Sequence, residues 1–137
     1  MPWKAGAPMA DEEPVSGRGT ATPDRFTVEV RSVPGADTAV LSLAGELDCD
    51  TMPPLSAALE EHVGAGRVLV DCSALAFCDS SGLNALLRAR LRALEDGGTV
   101  ELAGLRPPVD RMFDVTGVRT IFQVYETLDE ALDRSAP

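Results

Sequence analysis

The stretch "FCDSSGLNALL", Phe77 to Leu87, sets two hydroxyls, Ser80 and Ser81, between an acid and a glycine, with a leucine-rich run directly after. Three kinds of chemistry use such a run. The first is capping. Asp79, Ser80 or Ser81 can accept a hydrogen bond from a first-turn N–H of the following helix, which contributes about 1 kcal/mol. A cap needs only one of the three, so it leaves the triplet unexplained. The second is nucleophilic catalysis. The run resembles a nucleophile elbow only loosely, because G-x-S-x-G needs a glycine two residues before the serine. Here Phe77, Cys78 and Asp79 precede Ser80. A nucleophilic serine also needs a base. The one histidine, His62, sits beside a helical apolar stripe and reads as half-buried and structural. The third is phosphate acceptance. At a helix N-terminus an added charge of about −1.5 to −2 faces free N–H groups and the positive end of the dipole, so the fold tolerates it. Its effect then falls on whatever docks there. The residues allow this third reading without selecting it.

Composition removes other chemistries. Lys4 is the only lysine. A P-loop needs a lysine after its glycines, a Schiff-base enzyme needs one as nucleophile, and a two-component receiver needs one near its aspartate. Asp71, which ends "RVLVD", would otherwise invite the receiver reading. The three cysteines, Cys49, Cys72 and Cys78, form no C-x-x-C pair and read as reduced thiols of a cytosolic protein. No ligand cluster surrounds His62, so neither a metal nor another cofactor is expected. The formal charge of −10 argues against nucleic acid and against anionic membrane, both of which need a basic face. No apolar run approaches the ~20 residues of a membrane span. "MPWKAGAPMADEEP" has no apolar segment of the secretory kind, which also points to the cytoplasm.

The elements that would hold the loop follow from periodicity. Residues 1–24 carry Pro2, Pro8, Pro14, Pro23 and "DEE" and read as a flexible tail. Residues 25–135 read as a single domain. "RFTVEVRSV" alternates, with Phe26, Val28 and Val30 on one face, and "TAVLSLAGELD" gives a second strand after the turn "PGAD". The two form a hairpin. A helix with Leu55, Ala58, Leu59 and Val63 follows, capped by Asp50 or Thr51, with Pro53 and Pro54 in its first turn. "RVLVDCS" is a central strand. After the serine loop comes a helix of about 15 residues. Its expected buried stripe is Leu83, Leu86, Leu87, Leu91 and Leu94, and its polar row is Asn84, Arg88 and Arg92. "TVELAG" is a strand, "RPPVDRMFDVTGV" a helix on Val109, Met112 and Phe113, and "TIFQVY" the last strand. "TLDEALDR" opens with a Thr127-x-x-Glu130 capping box, and "SAP" is frayed. The order β-β-α-β-α-β-α-β-α predicts an α/β domain: a mixed sheet of four to five strands with four helices packed on it.

In order along the chain, "LAGELD", "VLVDCSALAFCDSSGLNALL", "GGTVELAGLRPPVDRMFDVTGV" and "IFQVYETLDEAL" resemble the STAS domain of bacterial single-domain anti-sigma factor antagonists. The resemblance covers about residues 26–134. D-S-S-G-L together with G-E-L-D is a specific pairing; either alone is weak. The resemblance implies the STAS fold and partner switching without enzymatic activity. The unphosphorylated antagonist captures an anti-sigma factor that is also a GHKL-type serine kinase, which frees the sigma factor. The kinase then phosphorylates the antagonist and the complex separates. A PP2C-type phosphatase restores the binding form. The resemblance places the phosphoacceptor at Ser80. It assigns the partner-binding surface to Asp48, Asp79, Ser80, Ser81, Gly82 and Asn84. Asn84 stands where small residues are frequent in the family. Two other readings belong to different classes. One is a STAS scaffold or sensor subunit of a larger signalling or transporter-associated complex. The other is a nucleotide module, for which no glycine-rich phosphate loop is present.

Overall fold

The computed structural model describes residues 25–133. The expected tail over 1–24 and the frayed "SAP" lie outside the described residues. Strand β1 (Phe26–Ser32) turns at Pro34–Asp37 into β2 (Thr38–Leu47). Helix α1 (Met52–His62) and a 3₁₀ turn (Val63–Ala65) lead to β3 (Arg67–Cys78), and α2 (Ser80–Glu95) follows at once. Then come β4 (Thr99–Ala103), α3 (Pro107–Val115), a 3₁₀ turn (Val118–Thr120), β5 (Val124–Tyr125) and α4 (Leu128–Asp133). The sheet has five strands in the order β1-β2-β3-β4-β5. β1 is antiparallel to β2 and the other neighbours are parallel. This is the mixed sheet and element order that the periodicity predicts.

Alternation along the strands sorts the core into two layers. Leu41, Leu43, Val68, Val70 and Leu102 point to one face, where they meet Leu55 and Leu59 of α1, Leu86 of α2 and Phe113 of α3. Val40, Leu69 and Ala103 point to the other, where Tyr125 of β5 and Ala131 of α4 pack against them. Arg67 ties α4 to this second face. Its Nη2 donates to the Ala131 carbonyl at 2.9 Å, and its Nε donates to Glu101 Oε1 at 2.9 Å. The Tyr125 hydroxyl donates to the same carboxylate at 3.2 Å.

Three elements differ from expectation. β3 runs on through "ALAFC" to Cys78, five residues past the expected strand end at Ser73. Its pairing with β2 shifts register between Ser42 and Ala44 and again between Gly45 and Glu46. Each shift adds one residue to β3 and reverses its alternation. Cys72, Leu75 and Cys78, three apart, therefore all face the core, and the spacing hides the strand. Burial pushes the Cys78 thiol up to about 12, and that of Cys72 further, so both stay protonated at neutral pH. Second, α2 buries Gly82, Leu83, Ala85, Leu86, Ala89 and Ala93. Leu91 and Leu94, expected inside, are exposed. The small residues let the helix lie close to the sheet, and that contact outweighs the longer leucine row. Third, "TIFQVY" is a strand only at Val124–Tyr125, because the turn at Val118–Thr120 takes up its first part. Phe122 is still buried.

Candidate functional site

The site lies at the C-terminal edge of β2 and β3, where open α/β sheets collect their functional groups. Leu47 and Cys78 are paired across the two strands. The ladder gains one more rung, because Asp79 N–H donates to the Leu47 carbonyl at 3.0 Å. This bond sets the Asp48 loop and the Asp79 loop side by side. From Asp79 the chain enters α2 with extended backbone at the cap.

Asp79 takes the capping role that sequence left open among three residues. Its Oδ1 accepts from the N–H of Ser81 at 2.9 Å and of Gly82 at 3.2 Å. Ser80 is thus the first helical residue. It is exposed, and its hydroxyl makes no hydrogen bond among the described residues. Ser81 is half-buried. Asn84, one turn further on the same side, is exposed. The expectation that a phosphate on Ser80 would meet free N–H groups changes here, because two of the nearest already serve Asp79. A phosphate on Ser80 would stand beside a carboxylate and project outward, so its charge would be felt mainly by a docked partner.

Gly82 shows why a glycine ends the motif. A Cβ at this position would lie 2.6 Å from Leu47 Cδ2 and 2.9 Å from Cys78 Sγ. The first turn of α2 rests directly on the ends of β2 and β3, and only a hydrogen atom fits between.

Asp48 is held from two sides. Its Oδ1 accepts from the N–H of Asp50 at 2.9 Å and of Thr51 at 3.1 Å. Its Oδ2 pairs with the Arg25 guanidinium. Burial acts to raise this carboxyl, but the Arg25 hydrogen bond and the two backbone N–H bonds outweigh it and hold the group below its usual range. Its contribution to stability is present at neutral pH and is lost as pH falls through that lowered value. Thr51 is the N-cap residue of α1 without a side-chain cap bond. Its hydroxyl accepts from Asp48 N–H at 2.9 Å and donates to the Glu46 carbonyl at 2.8 Å. The loop is closed by its own hydrogen bonds.

Arg25 is the site residue that the sequence reading missed. The hairpin register Phe26↔Gly45 puts Arg25 opposite Glu46, whose carboxylate lies 3.6 Å away. Counting back from the "PGAD" turn would have found it. His62 ends α1, before the start of β3, whereas Ser80 follows its end. A full strand length separates them, so Ser80 has no histidine base. Among the described residues no three His, Cys, Asp or Glu side chains group as a metal site. None of the described helices is long and apolar enough to cross a membrane.

Removing the cap has a defined expected cost. Asp79→Ala should destabilise the domain by about 1 kcal/mol and lower its melting temperature by roughly 4–8 °C. Thermal unfolding followed by circular dichroism reads this. An unchanged melting temperature would show that another group carries the cap.

A mixed five-stranded sheet whose central strand leads through a capping aspartate and an exposed serine into a helix defines a small α/β domain. A family model described as "Mlab, STAS domain" matches residues 26–130, and the chain belongs to the STAS domain family. It is 28% identical over 96 residues to the anti-sigma F factor antagonist of Paenibacillus polymyxa, covering 68% of this chain and 82% of that one. The crystal structure of an anti-sigma factor antagonist from Mycobacterium paratuberculosis superposes with a TM-score of 0.72 at 30% identity, over 83% of this chain and 97% of that one. SpoIIAA, an anti-sigma factor antagonist, superposes in its unphosphorylated form with a TM-score of 0.66 at 28% identity, over 79% of this chain and 95% of that one. The Bacillus SpoIIAA in its phosphorylated form gives 0.63 at 27%, over 80% and 100%.

Proposed function

We propose that this protein is an anti-sigma factor antagonist that works by partner switching at Ser80. In the unphosphorylated form it binds an anti-sigma factor that is also a GHKL-type serine kinase, and so releases a sigma factor. Phosphate on Ser80 ends that binding, and a PP2C-type phosphatase restores it. The protein acts in the cytoplasm as a binding module, not as an enzyme. One observation carries this reading: Ser80 is exposed at the first position of α2, its hydroxyl makes no hydrogen bond among the described residues, and Asp79 does the capping in its place. The serine is thereby free for modification without loss of the helix start. The kinship with antagonists, one of them solved in a phosphorylated form, supports it. Asp48, Asp79, Ser80, Ser81, Gly82 and Asn84 form or shape the docking surface, with Arg25 fixing Asp48.

Phosphopeptide mass spectrometry of the protein taken from its native cells, across growth and stress, tests the proposal. Phosphate on Ser80 that changes with condition is the expected result. No phosphate there under any condition would overturn switching and leave a constitutive scaffold role.

A further inference from the structure

The helix that starts at Ser80 carries a second feature on the side turned away from the sheet. Ser80, Asn84, Leu87, Leu91 and Leu94 follow one another at intervals of four, three, four and three residues. This is the a/d alternation of a coiled-coil seam. Leu87 is half-buried, Leu91 is 58% exposed and Leu94 49%. Beyond Leu94 the surface continues to Ile121 across a groove of about 280 Å3, lined also by Phe122 and by the polar Arg90, Glu101 and Gln123. Single exposed leucines are ordinary on a protein surface. Two exposed leucines in register on one helix, with Leu87 half-buried behind them against the core and a groove at their end, form a small apolar patch.

The charges beside the seam say what fits it. Arg88 and Arg90 occupy its e and g flanks, and neither has an ion-pair partner among the described residues. Arg92, further round the helix, meets Glu60 at 3.5 Å. The chain carries a formal −10, yet two of the three charged flank residues, Arg88 and Arg90, are basic, and Glu95 beside Leu94 is the one acid among them. A second copy of this chain would bring arginines against arginines, and such like-charge contact opposes self-pairing. A helix with carboxylates on its flanks and apolar residues at heptad spacing is complementary in both shape and charge.

We propose that the outer face of α2 is a docking seam for an amphipathic helix of a partner protein, with leucine-like residues in the seam and Glu or Asp on both flanks. Ser80 stands at the head of the seam. The coupling of seam to switch rests on the phosphoacceptor reading of Ser80; the seam itself does not. A phosphate at Ser80 would set two negative charges at the end of a contact that already faces carboxylates, so modification and docking would oppose one another.

A defined probe tests this on the full chain. The probe is a synthetic peptide of about three heptads, with leucine at a and d and glutamate at e and g, whose own like charges keep it from pairing with itself. Amide NMR spectra of the isotope-labelled protein are followed as peptide is added. Saturable shifts confined to α2 and the Ile121 region are expected. A peptide with lysine in place of glutamate should bind at least about tenfold more weakly. The double variant Leu91→Gln, Leu94→Gln should lose the response while staying cooperatively folded with a melting temperature within a few degrees of wild type, because glutamine keeps the helix propensity of leucine and both positions are about half exposed or more. Ser80→Asp should weaken the glutamate peptide. Unmoved α2 amides, equal response to the two peptides, or full binding by the double variant would each overturn the seam. A response that Ser80→Asp leaves unchanged would keep the seam and overturn its coupling to the switch. A silent peptide alongside regulated phosphate on Ser80 in cells would overturn the seam and leave the proposed function standing.

Discussion

Replacing Ser80 with aspartate is expected to weaken binding to the cognate anti-sigma factor by roughly 100-fold, about 2.7 kcal/mol, while leaving the fold slightly more stable. The two effects have separate causes. Ser80 is the first residue of α2 and is exposed, so a carboxylate there meets the positive end of the helix dipole, worth about 0.3–1 kcal/mol, which outweighs its repulsion from the neighbouring Asp79 in solvent. Toward a partner the same charge is added beside Asp79 and near the loop of Asp48. Like-charge contact at a docked surface costs several kcal/mol. Ser80→Ala should do the reverse. It keeps wild-type affinity, because the hydroxyl makes no hydrogen bond among the described residues, and under the proposed partner switching a kinase could not release it.

Calorimetric titration of each variant with the purified anti-sigma factor, beside its melting curve, reads both effects. Lower affinity with an equal or higher melting temperature is the expected pattern for aspartate. Wild-type affinity for both variants would remove Ser80 from the interface. Lower affinity with a lower melting temperature would mean that the helix start had been damaged instead. That outcome is not expected, since Asp79 rather than Ser80 holds the first turn.

The element order was legible because most segments keep one period throughout. "RFTVEVRSV" alternates, and α1 with the 3₁₀ turn after it repeats Leu55, Ala58, Leu59 and Val63 at helical spacing. Legibility fails where two patterns overlap. In α2 the leucines and the alanines each make a helical row, and composition favours the leucines. Close approach to the sheet selects the row with Gly82, Ala89 and Ala93, a choice that depends on a neighbour absent from the local sequence. In β3 the two register shifts turn an alternating strand into one with spacing three, so its second half reads as loop. The site divides the same way. Residue types place Asp79, Ser80 and Gly82 at a helix start, but only geometry decides which of three capping residues caps. The hold of Arg25 on Asp48 joins residues 23 apart through hairpin register, which no local motif records.

Gly45→Ala should be among the most damaging single substitutions near the site, and its reason lies in "LAGELD". Gly45 has φ 100°, and a Cβ there would sit 2.0 Å from the Arg25 carbonyl oxygen and 2.8 Å from its carbon. Both are backbone atoms of the facing strand, in the register Phe26↔Gly45. They cannot turn aside as a side chain can. The strain of a non-glycine residue at this φ is about 1–3 kcal/mol, and forced overpacking adds about 1–3 kcal/mol. A melting temperature lower by more than about 10 °C is expected. Gly35→Ala separates the two causes. Gly35 also has positive φ, 77°, but a Cβ there meets nothing within 4 Å, so it should cost only the strain. If Gly45→Ala proves no worse than Gly35→Ala, the close approach is absorbed elsewhere and this account fails. The same clash reaches the site. Pushing the Arg25 backbone away loosens its guanidinium from Asp48, the contact that most opposes the burial penalty on that carboxyl. Side-chain carboxyl NMR on the folded fraction of Gly45→Ala should therefore show the Asp48 pKa risen toward the ordinary aspartate range. In Gly35→Ala it should stay low.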